Sequence, residues 1–147
     1  MTPSATPSAP DPMPERAGHA ADDADASGAM ILVIDDELGI RLVIERQLNR
    51  LGYRPLLANN GEDGLRLFDA NAPDIQLVLL DWNMPGKSGK ETLAALLERR
   101  PDLRVILVTG SADAMTDEHA THDTVSILRK PFTPAQLTLV VRAVLGA

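Results

Sequence analysis

The chain has no cysteine, which excludes a disulfide framework, a zinc-thiolate centre and a thiol nucleophile. A reducing cytoplasm suits such a sequence. Lysine is scarce and occurs only as Lys87, Lys90 and Lys130. No apolar run approaches the roughly 18 residues needed to cross a bilayer, and the first residues lack the basic and apolar regions of a secretion signal. A soluble, cytoplasmic protein with no membrane insertion is expected. Basic residues are outnumbered, 14 against 21 acidic, for a net charge of -7 and a pI near 4.8. Such a surface is not drawn as a whole to nucleic acid or to anionic membrane, so no direct nucleic-acid partner is expected.

The 147 residues, 44% of them apolar, suffice for one domain with a sizeable core. Residues 1–29 are of different material: Pro, Ala, Ser and Asp abound and large aliphatic side chains are almost missing. Asp11, Glu15, Asp22, Asp23 and Asp25 face only Arg16, so this stretch carries -4 of the total charge. With nothing to bury it is expected to be a disordered tail, which leaves residues 30–147 as the folded unit.

From Met30 onward, short aliphatic runs alternate with helical patterns. The runs are MILVI (Met30 to Ile34), RPLLA (Arg54 to Ala58), QLVLL (Gln76 to Leu80), RVILV (Arg104 to Val108) and VSIL (Val125 to Leu128). They start roughly 20 to 30 residues apart, about the length of a compact βαβ step. Three are almost wholly apolar, as strands covered by helices on both faces should be. Between them, Ile40, Ile44, Leu48 and Leu51 fall at helical spacing and stop at Gly52. Leu65 and Phe68 lie in a second helix, and Leu93, Leu96 and Leu97 mark a third. Residues 114–122 have little apolar periodicity and form the weakest helical segment. The last helix opens with Thr133 as cap and Pro134 at its first position, and Leu137, Val140, Val141, Val144 and Leu145 form its buried stripe.

Three of the runs end in polar residues. MILVI leads into Asp35-Asp36, QLVLL into Asp81, and VSIL into Arg129, Lys130 and Pro131. If these are neighbouring parallel strands, their carboxyl ends share the sheet edge where open α/β folds bind ligands. Two like charges about 4 Å apart at an effective dielectric near 20 repel by roughly 4 kcal/mol, so clustered carboxylates call for a dication or a raised pKa. Asp81 is the expected reactive group. It ends the strand expected at the centre of the sheet, and the turn Trp82-Asn83-Met84-Pro85-Gly86 exposes it. A carboxylate can attack activated phosphorus to give an acyl phosphate, and Mg2+ takes one or two carboxylates plus water and phosphate. Asp36 is the natural second ligand, Asp35 acts through water, and a carbonyl from the 82–84 turn completes the set. The plainer alternatives are that Asp35-Asp36 caps the next helix, that Lys130 is a surface lysine, and that Thr109 is an ordinary strand terminator.

Asp35-Asp36, Asp81 within Asp-Trp-Asn-Met-Pro-Gly-Lys-Ser-Gly, Thr109-Gly110 and Lys130-Pro131-Phe132 together resemble the receiver domain of two-component response regulators. The Asp-Trp-Asn-Met-Pro stretch is similar to chemotaxis-type, stand-alone receivers. The resemblance covers about Met30 to Ala147 and implies an α/β fold: a doubly wound, five-stranded parallel sheet in flavodoxin-like order 2-1-3-4-5 with five flanking helices. It further implies that Asp81 accepts a phosphoryl group from a phosphohistidine on a histidine kinase or a histidine phosphotransfer protein. Asp35, Asp36 and Asp81 would organise Mg2+ with the Asn83 backbone carbonyl, while Thr109 and Lys130 contact the phosphate.

On this reading the protein is a single-domain response regulator that signals to a downstream protein or drains phosphate within a relay, and it is not a turnover enzyme on external substrates. It departs from the family in one place: Ile127 stands where the family usually has Tyr or Phe, three residues before the lysine. An aliphatic side chain has no ring to swing, so a muted conformational readout is expected. Two rivals differ in class. A pseudo-receiver would keep the fold and never carry phosphate, which Ile127 favours and the intact acids oppose. A magnesium-dependent aspartyl phosphatase would need its nucleophile on the first strand.

Overall fold

In the computed structural model, which describes residues 28–86, 88–111 and 122–146, the five aliphatic runs are five strands. Chain order is β1 (Met30–Ile34), α1 (Leu38–Arg50), β2 (Arg54–Ala58), α2 (Gly61–Asn71), β3 (Ile75–Asp81), α3 (Gly89–Arg99), β4 (Val105–Thr109), β5 (Val125–Arg129) and α4 (Pro134–Leu145). The sheet is wholly parallel with order β2-β1-β3-β4-β5. This is the flavodoxin-like order, as expected. Four helices are present among the described residues where five were expected. The missing one was assigned to residues 114–122, and all of these but His122 lie outside the described residues. The tail expected over residues 1–29 is likewise outside them up to residue 27.

Because successive strand residues face opposite sides, each run fills two cores at once. Leu32, Ile34, Val78 and Leu80 pack with Phe68 of α2 and with Leu93 and Leu96 of α3. Ile31, Val33, Leu77 and Leu79 pack with Ile44 and Leu48 of α1 and with Leu137 and Val141 of α4. Burial on both faces explains why β1, β3 and β4 read as unbroken apolar runs. Among the described residues no helix is long and apolar enough to cross a membrane.

Local signals set the helix ends. Asn60 accepts from the Asp63 N–H to cap α2, and α3 and α4 each begin with a reciprocal capping box, Ser88 with Glu91 and Thr133 with Gln136. The chain leaves α1 through Gly52 at φ 91, the left-handed conformation glycine adopts without steric cost.

The strand register brings the site together. Ile34 lies opposite Ala58 and Leu80, Asp81 opposite Val108, and Thr109 opposite Arg129. Residues 35, 81, 109 and 130 therefore meet at one carboxyl edge, where the connections of β1 and β3 run to opposite faces of the sheet.

Candidate functional site

Asp35 follows β1 and is 1% exposed. Its Oδ1 accepts from the Glu37 N–H at 2.8 Å, and its backbone carbonyl accepts from Arg41 Nη1 at 2.7 Å. Its Oδ2 is buried with no hydrogen-bond partner. Asp36 is exposed. Neither acid caps α1: the N-cap is Glu37, whose side chain makes no capping bond, and the first turn holds no acid. Asp81, 2% exposed at the end of β3, accepts from the Asn83 N–H at 3.0 Å. Carboxylate oxygens of Asp35, Asp36 and Asp81 all lie within 4.8 Å of one another.

Lys130 follows β5, fixed by its own N–H donating to the Thr109 carbonyl at 2.8 Å. Its Nζ lies 3.6 Å from Asp81 Oδ1, 3.8 Å from Asp35 Oδ2 and 3.1 Å from Glu37 Oε1. Thr109 is fully buried. Its hydroxyl accepts from the Ser111 N–H at 3.0 Å and faces Asn83 Oδ1 at 3.1 Å and the Ser111 carbonyl at 3.2 Å. Asp35, Asp36, Asp81, Asn83, Thr109 and Lys130 are thus drawn together at one carboxyl edge of the sheet. Ile127 lies opposite Leu107 and packs, partly buried, on the core beneath α2 and α3.

Three features were not anticipated. Among the described residues Glu37 is the closest charged partner of Lys130, and the run Asp-Asp-Glu was the available signal. The Asn83 side chain, not only its backbone, belongs to the pocket. Gly89 opens α3 against the site: a Cβ there would sit 2.5 Å from Trp82 Cα and 2.8 Å from the Asp81 carbonyl oxygen, inside contact distance with backbone. Only glycine lets α3 start so near the end of β3. A separate groove of about 680 Å³ between α1 and α2, lined by Leu38, Arg41, Leu42, Asp63 and Arg66 among others, contains none of the acids of the pocket.

The electrostatics follow from burial. Desolvation pushes the Asp81 carboxyl up to about 7, with further upward pressure from the Asp35 charge and a hydrogen bond with Asp36, against the Asn83 N–H and Lys130. Burial also raises Asp35. Burial works to lower Lys130, but its hydrogen bond to Glu37 and the Asp35 and Asp81 charges outweigh this and hold it above its ordinary value.

A carboxyl raised from 3.8 to about 7 on folding binds more protons in the native state than in the unfolded one across that interval. Its contribution to stability is therefore fully present below about pH 4 and is lost as pH rises to about 7. Asp35 has the same sign. In chelator-treated protein, urea-unfolding stability should fall over this window, and Asp81→Asn should flatten the fall. A steady rise with pH would contradict the site's electrostatics.

Buried carboxylates that repel one another, with one oxygen lacking any donor, fit a hard dication. The pocket's donors are oxygens alone, which suits Mg2+ better than a thiophilic metal.

A doubly wound parallel sheet with an aspartate cluster and a lysine at its switch point defines an α/β domain of the receiver kind. The family model described as "Response regulator receiver domain" matches residues 31–142, and the chain belongs to that family. It is 34% identical over 122 residues to the chemotaxis protein CheY1 of Helicobacter pylori, covering 79% of this chain and 96% of that one. It is 34% identical to the probable transcriptional regulator ycf27 of Guillardia theta over 78% of this chain, spanning only 44% of that protein. Among solved structures, a response regulator receiver domain protein of Clostridium thermocellum superposes with a TM-score of 0.74 at 34% identity, covering 80% of this chain and 94% of that one. The response regulator TrrA of Thermotoga maritima, solved in complex with Mg2+ and BeF, gives a TM-score of 0.71 at 31% identity, over 78% of this chain and 97% of that one.

Proposed function

We propose that the domain formed by residues 30–147 accepts a phosphoryl group on Asp81 from the phosphohistidine of a histidine kinase or histidine phosphotransfer protein, in the cytoplasm and with Mg2+. The observation that carries this reading is the Lys130 ammonium 3.6 Å from the Asp81 carboxylate, at the mouth of a pocket with two further aspartates. An Asp81 oxygen attacks phosphorus, the P–N bond breaks, and the imidazole leaves with the bond's electron pair and takes up a proton. The product is an acyl phosphate. Phosphoryl transfer depends mainly on positioning and electrostatic support. Lys130 supplies a point charge to the phosphoryl oxygens, and the Thr109 hydroxyl supplies a donor once it leaves Asn83. Asp35, Asp36 and Asp81, with the Asn83 carbonyl, are the residues that would hold Mg2+, which neutralises phosphoryl charge when bound.

The reading is supported by the likeness to TrrA, crystallised with Mg2+ and BeF, and by 34% identity to the sporulation initiation phosphotransferase F of Bacillus subtilis, over 69% of this chain and 82% of that one. The domain then signals by binding a downstream protein or drains phosphate within a relay, and it is consumed and regenerated rather than turning over an external substrate. Phosphotransfer is the test. A purified histidine kinase carrying labelled phosphohistidine should pass its label to this chain with Mg2+ present and fail to do so with EDTA. A panel of kinases from the source organism that all leave the chain unlabelled would favour an interaction module that never carries phosphate.

A further inference from the structure

Among the described residues the closest partner of Lys130 is not an aspartate. Its ammonium is 3.1 Å from Glu37 Oε1, against 3.6 Å to Asp81 and 3.8 Å to Asp35. Of the three, the Glu37 contact makes the hydrogen bond. Glu37 occupies the N-cap of α1, where Ser, Thr, Asp or Asn would satisfy the first turn. The N-cap side chains of α2, α3 and α4 each accept from their own helix, whereas Glu37 leaves its helix uncapped and reaches to a lysine 93 positions away. Asp35 Oδ2, which a shift of the ammonium from 3.8 Å into bonding distance would satisfy, is left without a hydrogen-bond partner.

The geometry points to Glu37 as a positioning residue for phosphoryl transfer, holding the Lys130 ammonium at the pocket mouth and competing with phosphoryl oxygens for it. The inference rests on the role proposed above for Lys130. An ammonium has three donors and one charge, so a phosphoryl group on Asp81 draws Lys130 inward and weakens its bond to Glu37. The Glu37 side chain is 60% exposed, and ion pairs at exposed positions are weak. Glu37 therefore tunes the lysine's availability by a few fold and does not gate it outright.

Glu37→Gln removes the charge and keeps the reach. Glu37→Asp keeps the charge, shortens the reach and restores a good cap, which separates helix stability from the hold on Lys130. Glu98→Gln, at an exposed position near the end of α3, controls for net charge. The first readout is the ¹H–¹⁵N signal of the Lys130 ammonium in unphosphorylated protein, assigned with Lys130→Arg. It should move in Glu37→Gln and Glu37→Asp and stay in place in Glu98→Gln. The second is beryllofluoride affinity with Mg2+, read from Trp82 fluorescence. It should rise about two- to fivefold in Glu37→Gln, the scale of one partly exposed ion pair, with Glu98→Gln unchanged.

An unmoved ammonium signal, or an affinity that is unchanged or lower in Glu37→Gln while the wild type binds normally, overturns the inference alone. If the wild type binds no beryllofluoride at all, the phosphoryl reading and the competition fall together, and a moved ammonium signal then marks Glu37 as an ion-pair partner only.

Discussion

Asp81→Asn protein is expected to take up no acid-labile phosphoryl group from a small phosphoramidate or a phosphorylated kinase with Mg2+ present, under conditions that should label the wild type. The effect is total because a neutral amide offers no carboxylate oxygen to phosphorus, and among the described residues no other acid occupies a comparable place. Asp35 is equally buried, but it follows β1 rather than closing a strand, and it precedes no Pro-Gly turn that would expose it. Asp36 ends no strand. The loss cannot be attributed to unfolding. The substitution is isosteric and removes one of the mutually repelling charges, and Lys130 keeps Glu37 and Asp35 as partners. Urea unfolding near neutral pH should show a variant at least as stable as the wild type. Undiminished labelling would move the acceptor elsewhere.

Asp36→Ala should weaken Mg2+ binding at least about tenfold, a scale that even outer-shell partners of metal ligands reach, and should slow labelling with it. Its carboxylate is exposed yet stands within 4.8 Å of the oxygens of Asp35 and Asp81, so it can meet a hydrated dication from the solvent side. It caps no helix, and truncation should leave folding unchanged. Trp82 is the sole tryptophan and adjoins Asp81, so its fluorescence reports the titration. An unchanged affinity would remove Asp36 from the metal site.

Much of this arrangement could be read along the chain. MILVI, QLVLL and RVILV lack polar interruption because helices cover both faces of the sheet, and the polar residues at their ends, Asp35, Asp81 and Thr109, follow from where parallel strands stop. Strand bounds moved by about one residue, β3 running Ile75–Asp81 and β4 Val105–Thr109, with Asp81 and Thr109 at the strand ends as expected. What escaped the sequence depends on three-dimensional reach. Glu37 looks like a third acid in a helix-starting run until a lysine 93 positions later is brought beside it. Gly89 looks like a turn glycine until the backbone of Trp82 is seen against it. The Asn83 side chain has no periodicity to reveal that it meets Thr109. The segment assigned to a helix over residues 114–122 gave the weakest pattern and falls almost wholly outside the described residues.

Borohydride trapping tests the central claim most directly. An acyl phosphate on an aspartate is reduced to homoserine, a permanent mark that peptide mass spectrometry can place. Wild-type protein phosphorylated with Mg2+ and then reduced should carry homoserine at position 81 and at no other aspartate. Homoserine at position 35 or 36, or a labelled protein with no reduced residue, would contradict the account.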